Sequence, residues 1–160
     1  VATGSRRGQA GGLEAIIAVL KQIMPYAEEQ GVLVCLENHT NNNLEFIEDY
    51  TSVFTVIDSP NIGVCVDTGH FEASNIELDE VIDKLHSKIN HIHVKETIEK
   101  GIESFVRFGQ GVTDNNTFIE KMIELRYKGY ITVELAIEDK SNLIEDLTKP
   151  YLMFNRYQQQ

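Results

Sequence analysis

Four short β-branched runs, each set between segments of helical period, limit what this chain can fold into more than any other feature. "VLVCLEN" begins at Val32, "IGVCVDTGH" at Ile62, "INHIHV" at Ile89, and "ITVEL" follows Gly129-Tyr130. Between them, apolar residues recur every three to four positions. Leu13, Ile16, Ile17, Leu20, Ile23 and Met24 predict a helix over residues 12 to 30 that ends near Gly31. Phe46, Ile47, Tyr50, Val53, Phe54 and Ile57 predict a second, stopped by Ser59-Pro60. Leu78, Val81, Ile82 and Leu85 mark a third, and Phe118, Ile119, Met122 and Ile123 a fourth. A last helix is expected from about Ser141, broken or kinked at Pro150. Strands alternating with helices at this spacing predict βαβ units, right-handed crossovers and a parallel α/β sheet. No linker or shift in composition divides the 160 residues, so one domain is expected.

Charge narrows the partners. Acids outnumber bases 25 to 14 and the formal net charge is -11, the opposite of the basic stripe a nucleic-acid binder carries. Nucleic acid and anionic membrane surfaces are therefore not expected as partners. The longest apolar stretch, Leu13 to Met24, is too short to span a bilayer and is interrupted by Glu14, Lys21 and Gln22. Cys35 and Cys65 lie inside apolar runs rather than at disulfide-framework spacing, so a reduced, cytoplasmic setting is expected. The chain opens at Val1 without an initiator methionine, and a longer parent is the expectation.

Every strand finishes on a potential metal ligand or acid/base: Glu37, Asp67, His93 and Glu134. Parallel α/β proteins bind ligands at the carboxyl ends of their strands, so the four should converge on one point. Counting back in twos places Cys35, Cys65, His91 and Thr132 on the same face, one layer down. Val34, Leu36, Val66, Ile92, Val94, Ile131 and Val133 then face the helices. In that reading His91 is a hydrogen-bonded interior histidine and the two thiols are core filler, with soft-metal ligation the lesser alternative. Three carboxylates and an imidazole form an oxygen-rich set that suits one divalent ion, Mn²⁺ first, then Mg²⁺ and Co²⁺, with Zn²⁺ also possible.

"CLENH", "VDTGH", "HIHVKE" and "FGQG…GYITVEL", in that order, resemble the xylose isomerase-like (β/α)₈ barrel superfamily, and within it the sugar phosphate isomerase/epimerase branch. The likeness runs from about residue 12 to 140. It implies a TIM-barrel segment comprising strands five to eight, with a metal held by Glu37, Asp67, His93 and Glu134. It places His70 of the D-x-x-H pattern in the substrate pocket, beside Asn38 and His39. Two motifs depart from the family: Glu96 stands where H-V-K-D is usual, and Phe108-Gly109-Gln110-Gly111 where P-G-E-G is common. A whole barrel takes about 250 residues. The first four strands are thus missing or reduced to "VATGSRR", which suits the end of strand four. A half-barrel alone would leave two open edges and an uncovered interior, so instability or association, with a missing half or another copy, is expected.

The chemistry the resemblance implies is proton transfer next to a carbonyl of a small carbohydrate-like substrate, through an enediolate, with Glu37 and Glu134 on either side. Lys95 faces inward and would neutralise charge or grip an anion, unless it pairs with Glu96 or Glu99. Arg107 would meet a phosphate, or else be a solvated loop arginine. The alternatives are an endonuclease IV-like phosphodiesterase, a dehydratase on the same scaffold, and an inactive truncated fragment. The loop "ESFVRFGQG" lacks the histidine that the nuclease's three-metal cluster needs.

Overall fold

A computed structural model describes residues 6–135, 139, 141–155 and 157. Residues 1–5 of "VATGSRR", expected at the end of a fourth strand, and Gln158–Gln160 lie outside them. Helix α1 (Gly12–Glu29) leads to β1 (Val34–Glu37), α2 (Ile47–Val56) and β2 (Ile62–Asp67). A six-residue helix α3 (Thr68–Ala73) follows at once, then α4 (Leu78–Leu85), a 3₁₀ turn and β3 (Ile89–Val94). Two short strands, β4 (Glu96–Thr97) and β5 (Phe105–Val106), precede α5 (Asn115–Glu124), β6 (Tyr130–Val133) and α6 (Leu143–Asn155). The main sheet is parallel throughout, in the order β1-β2-β3-β6, as the alternation predicts. Among the described residues no helix is long and apolar enough to cross a membrane.

Burial follows strand parity. Leu36, Val64, Val66, Ile92 and Val94 are almost fully buried beneath the helices, against Tyr50, Val53, Phe71, Val81, Leu85, Phe118 and Ile119. Truncating one such residue, Ile92 to Ala, costs about 2–5 kcal/mol. The opposite face is open. Cys35, His91 and His93 are half-buried, Thr132 is exposed, and Tyr130 is 82% exposed. Among the described residues, strands β1 and β6 each pair on one side only. The face that a closed barrel would fill with side chains is thus a shallow trough of about 430 Å³.

Two local events set the site. First, β2 ends at Asp67, as the sequence suggests, and there Asp67 Oδ1 accepts from the His70 N–H (3.0 Å) and caps α3. Thr68, Gly69 and His70 thus open a short helix that the sequence pattern does not show. Second, β3 carries one extra residue. Val64 pairs with Ile89 but Cys65 pairs with His91, which leaves Asn90 as a bulge. Gly63 makes room for it, since a Cβ there would collide with the Asn90 amide.

The polar stretch between β3 and α5 contains the β4–β5 hairpin, whose antiparallel strands are only two residues each. Thr97 Oγ1 lies within hydrogen-bond reach of the carbonyls of Ile102 (3.0 Å) and Ser104 (3.1 Å), across the hairpin. Helix α6 runs on through Pro150 to Asn155 rather than breaking there.

Candidate metal centre

Glu37, Asp67, His93 and Glu134 meet at the carboxyl end of the sheet, each offering a ligand atom within 4.8 Å of the others. Their backbones are not level across the sheet. Asp67 lies opposite His93, but Glu37 lies opposite Cys65, and His93 opposite Thr132, two residues before Glu134. The set climbs across the sheet in steps of two residues because barrel strands tilt against their common axis. Groups level along that axis are staggered in the hydrogen-bond register. His91 shares Glu37's row yet groups with Cys65 and His93 instead.

His93 holds the centre of the cluster. Its Nδ1 donates to Glu37 Oε1 at 2.7 Å and lies 3.4 Å from Glu134 Oε2. Hydrogen bonds with Cys65, Glu134 and Glu37 raise it to about 12, so the imidazole carries both protons. Its proton in turn holds Glu37 below the ordinary glutamate value, and Glu134 at about 2.

Lys95 supplies the second cation. Its ammonium lies 2.8 Å from Asp67 Oδ2 and 2.7 Å from Glu134 Oε1, and it pairs with these two acids rather than with Glu96 or Glu99. Burial pushes Asp67 up to about 6 even with that ammonium beside it. Burial also works against the charge on Lys95, but Asp67 and Glu134 more than offset it and raise its pKa. Asp67 Oδ2 is fully buried and, among the described residues, meets no aligned hydrogen-bond donor; the Lys95 ammonium compensates it as an ion pair. A buried carboxylate oxygen left in that condition, in a set of three carboxylates and one imidazole, fits a hard divalent cation.

The backbone around these groups is over-determined. The Asn38 amide bonds both ways to Asp67, donating to its carbonyl (2.9 Å) and accepting from its N–H (2.7 Å), which ties β1 to β2. Thr68 Oγ1 donates to Asn115 Oδ1 (2.6 Å) and accepts from the Lys95 N–H (3.1 Å), while Asn115 Nδ2 donates to the Lys95 carbonyl (3.0 Å). Gly69 lets α3 lie against Lys95, since a Cβ would sit 2.9 Å from that side chain's Cβ and Cγ. Glu96 accepts from the Gly111 N–H at 2.9 Å. That bond fastens the glycine loop to the acid on β4.

His70 lies beside the cluster, 4% exposed. Its Nδ1 accepts from the Thr40 N–H at 3.3 Å, which leaves the proton on Nε2. Burial, with Lys95 and His39 adding to it, holds it down at about 3, so the ring is neutral. His39 stacks on it with ring centroids 3.8 Å apart, and Glu103 joins them in a second group of potential ligands. Nothing in the sequence singles out Glu103, an acid in a polar loop. Arg107 lies on the far side of the loop, where its guanidinium binds Asp146 (3.1 Å) and Asp139 (2.8 and 3.1 Å).

A parallel sheet with an acid–imidazole cluster at the carboxyl ends of its strands is a segment of a βα barrel. The chain belongs to the xylose isomerase-like TIM barrel family, whose profile matches residues 1–150. Inosose isomerase of Bacillus subtilis is 29% identical over 126 residues, covering 74% of this chain and 45% of its own length. A putative L-ribulose-5-phosphate 3-epimerase of Haemophilus influenzae is 34% identical over 89 residues, 52% of this chain and 31% of that protein. Among solved structures, the IolI protein with a bound zinc atom superposes with a TM-score of 0.75 at 22% identity, over 96% of this chain and 61% of that one. The chain spans about half the length of the curated relatives it matches most fully.

Proposed function

We propose that this chain carries the metal-binding half of an isomerase or epimerase that acts on sugars or sugar phosphates, by proton transfer next to a carbonyl. The observation that carries the reading is the meeting of Glu37, Asp67, His93 and Glu134 within 4.8 Å. Inosose isomerase and the putative ribulose-phosphate epimerase support it as relatives of known or assigned activity.

The four groups would hold one divalent ion. The oxygen-rich donor set favours Mn²⁺, with Mg²⁺ and Co²⁺ next, and the zinc atom in the IolI structure supports Zn²⁺ as a substitute. A bound ion would supply Lewis acidity, lowering the pKa of the carbon acid and fixing the substrate's oxygens.

The remaining work belongs to the protein. Glu37 and Glu134 flank the cluster from β1 and β6, and their low pKa values keep both as carboxylates ready to take a proton. One, as the carboxylate, would remove the proton; the other would return a proton only after taking one up from solvent, or the first would hand back the one it removed. Return to the same carbon gives an epimer; return to the neighbouring carbon gives the aldose–ketose isomer. His70, neutral and protonated at Nε2, would donate to a substrate oxygen, with His39 stacked on it. Lys95 would stabilise developing negative charge. Asn38 would act on the substrate only through Asp67, whose backbone it holds. Arg107 would reach a phosphate by exchanging one of its two carboxylates for it.

The test is solvent exchange. With Mn²⁺ present, in D₂O, ketoses and ketose phosphates should gain deuterium at the carbon beside the carbonyl, in a full-length parent that carries this half. Glu134→Gln should lower the exchange rate by orders of magnitude while the circular dichroism stays unchanged. Exchange at the parent rate in that variant would remove Glu134 from the reaction.

A further inference from the structure

Below the carboxylate cluster, the open face of the sheet carries a different donor set. Cys65 and His91 lie directly opposite each other on β2 and β3, and His93 follows two residues along the same face. The ligand atoms of the three lie within 4.8 Å of one another. The two imidazoles stand at 90° with centroids 4.9 Å apart. Thr132 Oγ1 lies 3.0 Å from His91 Nε2 and fixes that ring, the kind of outer partner that orients a ligand histidine. All three donors line the trough described above.

We propose that Cys65, His91 and His93 form a second cation site, selective for thiophilic ions such as Zn²⁺ or Cd²⁺ and mutually exclusive with the carboxylate site. Selectivity follows from the donors. A thiolate with two imidazoles is soft and suits zinc-like ions, whereas the carboxylate set suits Mn²⁺ and Mg²⁺. Exclusion follows from His93, which belongs to both sets. A neutral imidazole has a single bare ring nitrogen and so ligates one ion at a time; serving two would require removal of its second proton. A soft ion on the lower site therefore takes away a ligand of the upper one. The exclusion clause rests on the metal reading of the carboxylate cluster, while the thiolate site stands on its own geometry.

Cobalt distinguishes the two sites. Co²⁺ bound to a thiolate shows a strong near-ultraviolet sulfur-to-metal charge-transfer band, which Co²⁺ on carboxylates and imidazoles lacks. Titrating the reduced chain with Co²⁺ should develop that band and saturate it at one ion per chain. Cys65→Ser should abolish the band and Cys35→Ser should keep it. Adding Mn²⁺ should diminish it, with the loss matched by Mn²⁺ bound in electron paramagnetic resonance. No band in the unmodified chain would overturn the site without recourse to any variant. A band that survives Cys65→Ser, or disappears with Cys35→Ser, would overturn the assignment of the thiol. A band untouched while Mn²⁺ binds would overturn the exclusion. A band formed in a chain that binds no Mn²⁺ would leave the thiolate site standing, sink the exclusion, and count against the metal reading under Proposed function.

Discussion

Lys95 and Asp67 form an ion pair inside the protein, 2.8 Å apart, with side chains 4% and 0% exposed. A pair so placed is weak evidence for stability, but removing one partner leaves a buried charge uncompensated. Lys95→Met should destabilise the metal-free chain by about 3–5 kcal/mol, and Mn²⁺ should restore part of the loss by supplying positive charge to Asp67 and Glu134. Urea unfolding with and without Mn²⁺ measures both effects. Equal metal-free stability of the variant and the parent chain would refute the pairing.

Metal binding should release a proton. His93 sits at about 12, raised by its bonds to Cys65, Glu134 and Glu37, and a ligating imidazole must give up the proton those bonds favour. At neutral pH the binding reaction should liberate about one proton, and affinity should tighten about tenfold per pH unit. Calorimetry in two buffers of different ionisation enthalpy reads the proton count. Identical heats in both buffers would show that His93 is not the group displaced.

His70 makes a prediction of the opposite sense. Its folded value is about 3, mainly through burial, against about 6.5 for an unfolded histidine. Between those limits the unfolded chain takes up a proton that the folded chain refuses, so stability is complete above about pH 6.5 and is lost as pH falls. The slope approaches about 1.4 kcal/mol per pH unit. Going from pH 6.5 to 5, the parent should lose about 2 kcal/mol more than His70→Asn. Parallel stability–pH curves for the two proteins would contradict a neutral, buried ring.

Gly69→Ala should damage the cluster from behind. The added methyl would press on Lys95 Cβ and Cγ at 2.9 Å, and that side chain is enclosed. Overpacking of this kind costs about 1–3 kcal/mol. Because Lys95 orients Asp67 and Glu134, Mn²⁺ affinity should fall together with stability. A variant that unfolds at the parent's urea midpoint and binds Mn²⁺ equally well would show that α3 can give way.

The edges of β1 and β6, unpaired among the described residues, with the open trough between them, predict that the chain on its own associates. Sedimentation tests this, and a salt-independent monomer would defeat it.

Much of this arrangement was legible in the sequence because it rests on short-range periodicity. The strands, the helices and the four acid and imidazole side chains at the strand ends follow from parity and from helical period, and the xylose isomerase-like motifs fall on those positions. What escaped depends on contacts between distant segments. The strand β2 ends at Asp67 as expected, but α3, which Asp67 caps through the His70 N–H, has six residues and is too short to show a helical period. Two-residue strands such as β4 and β5 are too short to show a period. Lys95 had two acids close by in sequence, yet it pairs with Asp67 and Glu134 because the barrel stagger lays Lys95 beside the end of β6. The same stagger put His91 in Glu37's row, which counting in twos could not reveal.

The bulge at Asn90 has a further consequence. Ile89 and His91 are two positions apart, yet Ile89 is buried beneath the helices while His91 lines the trough. The surplus residue between them inverts the strand's alternation at that point. Shortening β3 by that one amide would force a choice between turning Ile89 out of the apolar layer and rotating both imidazoles into it. The direction in which His91 and His93 look is thus written in a residue count, and neither histidine could be repaired by substitution once that count was wrong.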